Sequence, residues 1–312
     1  MLLIADSGST KCDWRLVAED KTYSDFETIG INPYFHNEEV IEGELLKNEG
    51  LSAFADKVKA VFFYGAGCSS SELKRIVDRG LGNVFQNAQI YVDHDLVAAA
   101  FAVYDDEPCI ACILGTGSNS CHFDGDIVRE EVPALAFILG DEGSGSHFGK
   151  KLLTDFLYKR LPESMHEGLI AEFGLNKDSI MDRVYMKPHA NVYLASFMKF
   201  ITKFSHEPYV KDMLRKGIAA FLDTHVLCFR DAKTVKTHFV GSVAHFHEQT
   251  LRTVAEERGI HVGNIIKKPI DGVFENHTMF GGDSHRLGTQ QKGLRIRLSA
   301  GHLGAVDHGL EQ

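Results

Sequence analysis

Basic residues are few in this sequence, and long apolar runs are absent. Lysine and arginine number 33 against 43 aspartates and glutamates, a net charge of −10 over 312 residues. An acidic chain without a basic cluster lacks the positive surface that nucleic acid or an anionic membrane attracts. Apolar stretches such as Cys109–Leu114 are strand-sized, whereas a membrane helix needs ~18 residues. We expect no nucleic-acid or membrane partner, and local geometry must hold any phosphate ligand.

Cysteines and recognisable targeting signals are scarce as well. Six cysteines do not form a disulfide framework, and the first residues lack the basic region of a secretory signal. These absences predict a cytoplasmic protein with free thiols. The Walker A spacing of P-loop enzymes is missing, and no GxGxxG follows a strand, which disfavours a dinucleotide-dependent oxidoreductase.

The remaining composition is that of a globular protein, with 44% hydrophobic and 24% charged residues. The first part reads as three strands followed by alternating helices and strands, an α/β sheet with a hairpin start. The strand Cys109–Leu114 then ends in a turn like the first one, which indicates an internal duplication. We predict one domain over residues 1–107 and a second, with a helical insertion, over residues 108–280.

The last residues have a different composition. Residues 281–312 contain seven of the 29 glycines and no Phe, Tyr or Trp, and they follow neither helical nor strand periodicity. We interpret them as a disordered or non-native tail.

A turn rich in glycine and hydroxyl groups follows the first predicted strand, at residues 6–11. Gly8 permits backbone conformations that other residues avoid, so successive N–H groups and hydroxyls can surround a phosphate. Asp6 is placed to hold Mg²⁺, usually through water. A polar hairpin turn without a ligand would have the same sequence, so this motif alone leaves both interpretations open.

Three further turns of this kind occur at residues 115–119, 140–146 and 241–243. The last two lead into predicted helices, and the helix after residues 140–146 would offer its first N–H groups to an anion or to sugar hydroxyls. Asp95 opens another helix after a strand, and it is either a helix cap or a general base that accepts a hydroxyl proton. Four such turns in one chain indicate a phosphate-binding protein.

These four turns, with Asp95 after the last strand of the first half, resemble the actin, sugar-kinase and heat-shock ATPase superfamily. The sequence is more specifically similar to the BadF/BadG/BcrA/BcrD ATPase family and, within it, to bacterial N-acetylglucosamine kinase-like proteins. The resemblance extends to about residue 280 and is carried by residues 4–11, 30–33, 64–68, 113–120, 138–145 and 240–244. It implies two ribonuclease H-like α/β domains with a cleft between them.

The resemblance also implies ATP and Mg²⁺ as cofactors and an amino sugar, N-acetylglucosamine, as the substrate. Asp6 would hold Mg²⁺, and Asp95 would accept the proton of the sugar 6-hydroxyl. The residues that would contact the nucleotide are Ser7, Gly8, Ser9, Thr10, Lys11, Gly115, Thr116, Gly117, Ser118, Gly241, Ser242 and Gly272. The residues that would contact the sugar are Asn32, Gly67, Asn119, Asp141 and Gly145.

The sequence departs from the family pattern at two positions near these motifs. Cys12 stands where relatives usually carry Thr, and His94 precedes Asp95 where a small polar residue is commoner. The zinc-binding cysteines of the related ROK sugar kinases are absent, so no structural zinc is expected. Relatives make a homodimer plausible.

Two other functions fit the same fold. One is an ATP-driven activator of an acyl-CoA dehydratase or reductase, which needs cysteines that hold an iron–sulfur cluster between subunits. Cys68 and Cys121 are the candidates beside the turns. The other is a non-catalytic sugar sensor.

Overall fold

The computed structural model describes residues 1–280 and the short strand Arg297–Leu298; apart from that strand, the predicted tail lies outside the described residues. Two mixed β-sheets carry helices on their faces. This arrangement confirms the predicted α/β class with two ribonuclease H-like sheets. The boundary at residue 107 stays a prediction. Among the described helices, none is both long and apolar enough to cross a membrane.

The first sheet has the strand order β3-β2-β1-β4-β5. Its first three strands are antiparallel neighbours, whereas β4 and β5 run parallel to β1. The strands are β1 (Leu2–Ser7), β2 (Lys11–Val17), β3 (Tyr23–Ile29), β4 (Ala60–Gly65) and β5 (Gln89–His94).

The second sheet repeats this order as β8-β7-β6-β9-β10, with β11 (Arg297–Leu298) beside β8. The pairing directions of the corresponding strands are also the same. The predicted internal duplication is therefore confirmed. The strands are β6 (Cys109–Leu114), β7 (Ser118–Phe123), β8 (Val128–Glu130), β9 (Lys236–Val240) and β10 (His261–Ile266).

Side-chain caps start several of the helices. Asn37, which the sequence offers as a cap before a helical pattern, accepts a hydrogen bond from the amide of Val40, and Ser70 caps the amide of Leu73. With the first sheet lie α1 (Glu38–Lys47), α2 (Glu49–Ser52), the 3₁₀ turn Ala55–Lys57, α3 (Ser71–Val84) and α4 (Asp95–Val103). The later helices are α5 (Ala136–Leu139), α6 (Gly145–Leu157), α7 (Glu163–Phe173), α8 (Lys177–Met181), α9 (Ala190–Ser196), α10 (Met198–Lys203), α11 (Pro208–Phe221), α12 (Ser242–Phe246), α13 (Glu248–Glu256) and α14 (Ile270–Phe280), with π-helical turns at Asp182–Met186 and Leu222–Val226.

Three buried apolar clusters hold these layers together. One lies on the outer face of the first sheet around Trp14, and another packs the helices of residues 145–255 onto the second sheet. The third lies between the two sheets and includes most of α4. Cys109 belongs to this third cluster and Cys112 to the second, so these two cysteines, three residues apart, occupy opposite faces of β6, as the alternation of side chains along a strand requires.

Two stretches whose sequence pattern predicts one continuous helix are interrupted in the structure. The pattern over residues 242–257 predicts one helix, but the helix breaks at His247, whose buried ring lies 3.4 Å from Oγ1 of Thr202. The pattern over residues 210–229 predicts another, but this helix is α-helical only to Phe221 and then becomes a π-helical turn.

Candidate active site

The turn between β1 and β2 is closed by its own backbone. The amide of Gly8 donates to the carbonyl of Lys11 at 3.0 Å. The buried Ser7 hydroxyl donates to the Ile31 carbonyl at 3.0 Å and accepts from the Ile31 amide at 2.8 Å. Ser7 therefore joins the turn to the loop after β3, while Gly8 stays exposed.

The turn between β6 and β7 faces the first turn. The amide of Gly115 donates to the carbonyl of Gly117 at 3.0 Å. Oγ1 of Thr116 lies 3.2 Å from Oγ1 of Thr10, so turns from different sheets meet. Paired turns with N–H groups and hydroxyls on both sides of a gap suit a polyphosphate chain.

The first turn of α6 supports this second turn. The amide of Gly145 donates to the carbonyl of Gly115 at 2.8 Å, and the amide of Ser146 donates to the carbonyl of Thr116 at 3.0 Å. The hydroxyl of Ser144 caps the next amide. The expectation that these N–H groups would be available to an anion or a sugar is wrong, because protein oxygen atoms already occupy them.

The turn at Gly241 lies against the same region. Gly241 has a φ of +120°, and a Cβ atom there would lie 2.4 Å from the carbonyl oxygen of Leu114. Ser242 is exposed and begins α12. Gly241 therefore lies beside the second turn, and the contact of Gly241 and Ser242 with the nucleotide stays a prediction.

Gly272 has a different environment. It lies in α14, where a Cβ atom would come 2.4 Å from the carbonyl oxygen of Ala102. Close packing of α14 on α4 accounts for this glycine without a nucleotide.

The carboxyl groups of Asp6 and Asp95 interact electrostatically beside the first turn. Burial raises the pKa of Asp6 to about 8, the charges of Asp95 and Asp13 act in the same direction, and Lys11 and Lys268 oppose them. A divalent cation bound to Asp6 would supply positive charge that offsets these carboxylates, and a carboxylate oxygen is a ligand that Mg²⁺ prefers. Asp6 therefore fits the role of a Mg²⁺ ligand.

Both nearby lysines are already paired. Nζ of Lys11 lies 3.0 Å from carboxylate oxygens of Asp13 and Glu27, and Nζ of Lys268 lies 2.8 Å from Asp13. Lys268 precedes α14, and no motif in the sequence indicated that it would come near Asp6. Lys11 therefore shares its charge with two carboxylates and is not free for a phosphate in this arrangement.

Two of the predicted sugar residues meet at the end of the first sheet. Gly67 has a φ of +85°, and a Cβ atom there would lie 2.4 Å from Oδ1 of Asn32. The same Oδ1 accepts a hydrogen bond from the Tyr34 amide at 3.0 Å. The loop after β3 and the loop after β4 therefore contact each other, and together they form the first wall of the candidate sugar site.

Asp141 and Asn119 form a second wall beside β7. The amide of Ser118 donates to Oδ1 of Asp141 at 3.1 Å, and burial raises the pKa of Asp141. Asn119 lies near Glu130, whose pKa is raised by burial. Gly145, also predicted to contact the sugar, packs instead against Ala195 and Met198.

Asp95 lies between the two walls. Its charge acts on Cys68, next to Gly67, and on Glu130, next to Asn119. The sequence did not indicate a role for Glu130 or His94, because neither residue belongs to a glycine-rich turn. The only signal in the sequence for these neighbours of Asp95 was the unusual residue His94 directly before the predicted base.

The cysteines do not support an iron–sulfur cluster between subunits. All six are free thiols, and both candidates, Cys68 and Cys121, are fully buried. Burial raises the pKa of each of these two thiols. A partner subunit could not share a cluster through them.

Two solved structures match most of the chain. A proposed N-acetylglucosamine kinase from Porphyromonas gingivalis is 37% identical, with a TM-score of 0.84, and the match covers 90% of this chain and 100% of that one. A proposed N-acetylglucosamine kinase from Chromobacterium violaceum is 17% identical, with a TM-score of 0.64, over 88% of this chain and 98% of that one.

A more distant match shows the fold alone. A ROK-family transcriptional regulator, a homologue of the Escherichia coli protein MLC, is 12% identical, with a TM-score of 0.51, over 94% of this chain and 81% of that one. No protein-family model matches the chain, and no curated protein matches it.

Proposed function

Because the chain belongs to the N-acetylglucosamine kinase-like proteins of the BadF/BadG/BcrA/BcrD ATPase family, in the actin, sugar-kinase and heat-shock ATPase superfamily, we propose that it is an ATP-dependent sugar kinase. The proposed substrate is N-acetylglucosamine, phosphorylated at the 6-hydroxyl. The observation that carries the proposal is the meeting of two glycine-rich turns, with Oγ1 of Thr10 and Oγ1 of Thr116 3.2 Å apart, beside the half-buried carboxyl groups of Asp6 and Asp95.

The two turns would hold the phosphates of ATP from opposite sides. Their backbone N–H groups and the hydroxyls of Thr10 and Thr116 would bind the phosphate oxygens, and Gly241 and Ser242 would flank the adenosine. Mg²⁺ held by Asp6 would neutralise charge on the phosphates when bound. Local contacts of this kind are needed because the chain is acidic overall.

Asp95 would act as the general base. Its carboxylate would take the proton of the sugar 6-hydroxyl while that oxygen attacks the γ-phosphorus. The bond from the γ-phosphorus to its bridging oxygen breaks, and ADP leaves with the electron pair. The two walls would orient the sugar through Asn32, Gly67, Asn119 and Asp141, and would exclude water as a competing nucleophile.

A coupled assay of ADP release across a sugar panel tests the function. We expect ADP release with N-acetylglucosamine, and NMR of the product should show the phosphate on carbon 6. The panel should include glucosamine, glucose and N-acetylmuramic acid. Absence of sugar-dependent ADP release with all of them would reject the kinase proposal.

The same sample separates the other functions. A sensor would bind a sugar without releasing ADP. An iron–sulfur activator would be brown after anaerobic purification, and we expect a colourless sample because the candidate cysteines are buried. We also propose a homodimer, which light scattering tests.

A further inference from the structure

His94 lies between β5 and the proposed base. Nδ1 of its ring is 2.9 Å from Oδ1 of Asp95 and 3.3 Å from the amide nitrogen of Leu96. We propose that His94 is a positioning residue that holds Oδ1 of Asp95, so that Oδ2 is the oxygen that receives the sugar proton. This inference rests on the kinase function proposed above.

The two oxygens of the Asp95 carboxylate have different surroundings. Oδ1 is buried and has no hydrogen bond in the structure, although the side chain as a whole is 21% exposed. Access from the cleft is therefore to Oδ2. The only polar group that the structure places against Oδ1 among the described residues is the His94 ring, whose side chain is 14% exposed.

The protonation of the ring decides whether this contact is attractive. A bare Nδ1 would present a lone pair to a carboxylate oxygen 2.9 Å away, which is repulsive. A proton on Nδ1 converts the contact into a charge-assisted hydrogen bond. The Leu96 amide competes for the same nitrogen from a longer distance, 3.3 Å, and can be satisfied only when Nδ1 is bare.

The surroundings of His94 favour the proton. Burial lowers the pKa of His94, but the carboxylates of Asp95, Glu130 and Asp93 outweigh it, and the pKa is raised overall. Asp93 is itself neutralised by Lys74, whose Nζ lies 2.6 Å from its carboxylate. Glu130 comes from the second sheet, so carboxylates from both sheets surround the ring.

Two substitutions separate positioning from helix capping. His94→Ser keeps a hydroxyl that caps the Leu96 amide, but the side chain is too short to hold Oδ1 of Asp95. His94→Asn also caps the helix and carries an amide N–H₂ group close to the position of Nδ1. His94→Ser and His94→Asn therefore form a matched pair in which capping is constant.

We expect His94→Ser to lower kcat for N-acetylglucosamine about 10- to 100-fold, because a misplaced base costs that much. Its KM for the sugar should stay within about threefold of wild type, since ground-state binding is untouched. His94→Asn should recover most of the lost kcat. A kcat for His94→Ser within about twofold of wild type, or an effect on KM alone, would overturn the proposal.

Nitrogen NMR of the histidine rings tests the contact without any assay of activity. The His94 signals are identified among the 16 histidines by their loss in His94→Ser. We expect Asp95→Asn to lower the pKa of His94 by about one unit or more, because an opposite charge is removed. An unchanged titration means that the ring does not hold this carboxylate. This result stands whether or not the protein phosphorylates sugars.

Discussion

Asp6 and Asp95 lie in different environments, which suit the different roles proposed for them. Asp6 lies on β1, where burial raises its pKa to about 8 and two neighbouring carboxylates add to the effect. Asp95 lies at the start of α4, with one oxygen buried beside His94. The first environment favours a bound cation, and the second favours a directed base.

Replacement of Asp95 by Asn removes the proposed proton acceptor and keeps the size of the side chain. We expect kcat to fall about 100-fold or more, the usual contribution of a positioned base, while the sugar still binds. Steady-state kinetics and calorimetry of sugar binding measure the two quantities. Asp212→Asn, at an exposed residue paired with Lys216 on α11, is the control and should keep wild-type kinetics. If Asp95→Asn keeps the kcat of the wild type, another residue is the general base.

Asp6 predicts a dependence of stability on pH in protein kept free of metal by a chelator. Its pKa of about 8 in the fold exceeds the ordinary 3.8, so between these values the folded state keeps a proton that the unfolded state releases. The free energy of unfolding of the wild type should therefore fall as pH rises through this window.

Asn does not titrate, so the stability advantage of Asp6→Asn over wild type should increase between about pH 5 and about pH 8. Urea unfolding at several pH values measures this difference. A constant difference across the window would show that Asp6 is not protonated in the fold.

At the scale of elements, α14 returns from the second sheet to pack on α4 and the first sheet. A buried arginine on β2, Arg15, forms hydrogen bonds with Asp25 and with Asp271 of α14. Gly272 provides the close approach to Ala102. Helix α4, which carries Asp95, is therefore held in place by an element that follows the whole second sheet.

Gly272→Ala tests whether this glycine serves packing or the nucleotide. The added methyl group would meet backbone atoms of Ala102, so we expect a loss of about 1–3 kcal/mol in the free energy of unfolding. The KM for ATP should not change. The control is Gly43→Ala in α1, where no atom lies within 4 Å of the added Cβ, and which should gain about 0.5–1 kcal/mol. An increased KM for ATP with unchanged stability would instead indicate nucleotide contact.

At the scale of the whole molecule, two sheets of the same order bring their first turns together. Each turn follows the first strand of its sheet, so the duplication itself creates the facing pair. The acidic chain, with a net charge of −10, offers no general attraction to ATP. Phosphate affinity must therefore come from this junction of the two sheets.

Thr10→Val and Thr116→Val each remove one hydroxyl from the junction. We expect each to raise the KM for ATP about 2- to 10-fold, the range of a neutral hydrogen bond, with unchanged sugar affinity. Effects smaller than additive in the double variant would show that both hydroxyls act on one group. Thr154→Val, whose exposed hydroxyl donates to the Lys150 carbonyl within α6, is the control. If the KM for ATP is unchanged in Thr10→Val, Thr116→Val and the double variant, the phosphates do not bind at these two hydroxyls.

The strands, the cap Asn37 and the four turns could be predicted from the sequence, because they depend on residues close together in the chain. The cap Asn37 and the alternation that separates Cys109 from Cys112 are examples. The cap of α4 was expected at Asp95 and is His94. Helix continuity through His247 could not be predicted, because the break involves a buried ring near Thr202, 45 residues away.

The sequence by itself therefore determined the α/β class, the duplication and the position of each candidate turn, since local periodicity and turn chemistry specify them. Only the tertiary structure decided which groups face each other. Thr10 and Thr116 meet across 106 residues, and the α6 amides are taken by carbonyls of another turn. Such pairings depend on how the two sheets are stacked, and no short-range pattern encodes that.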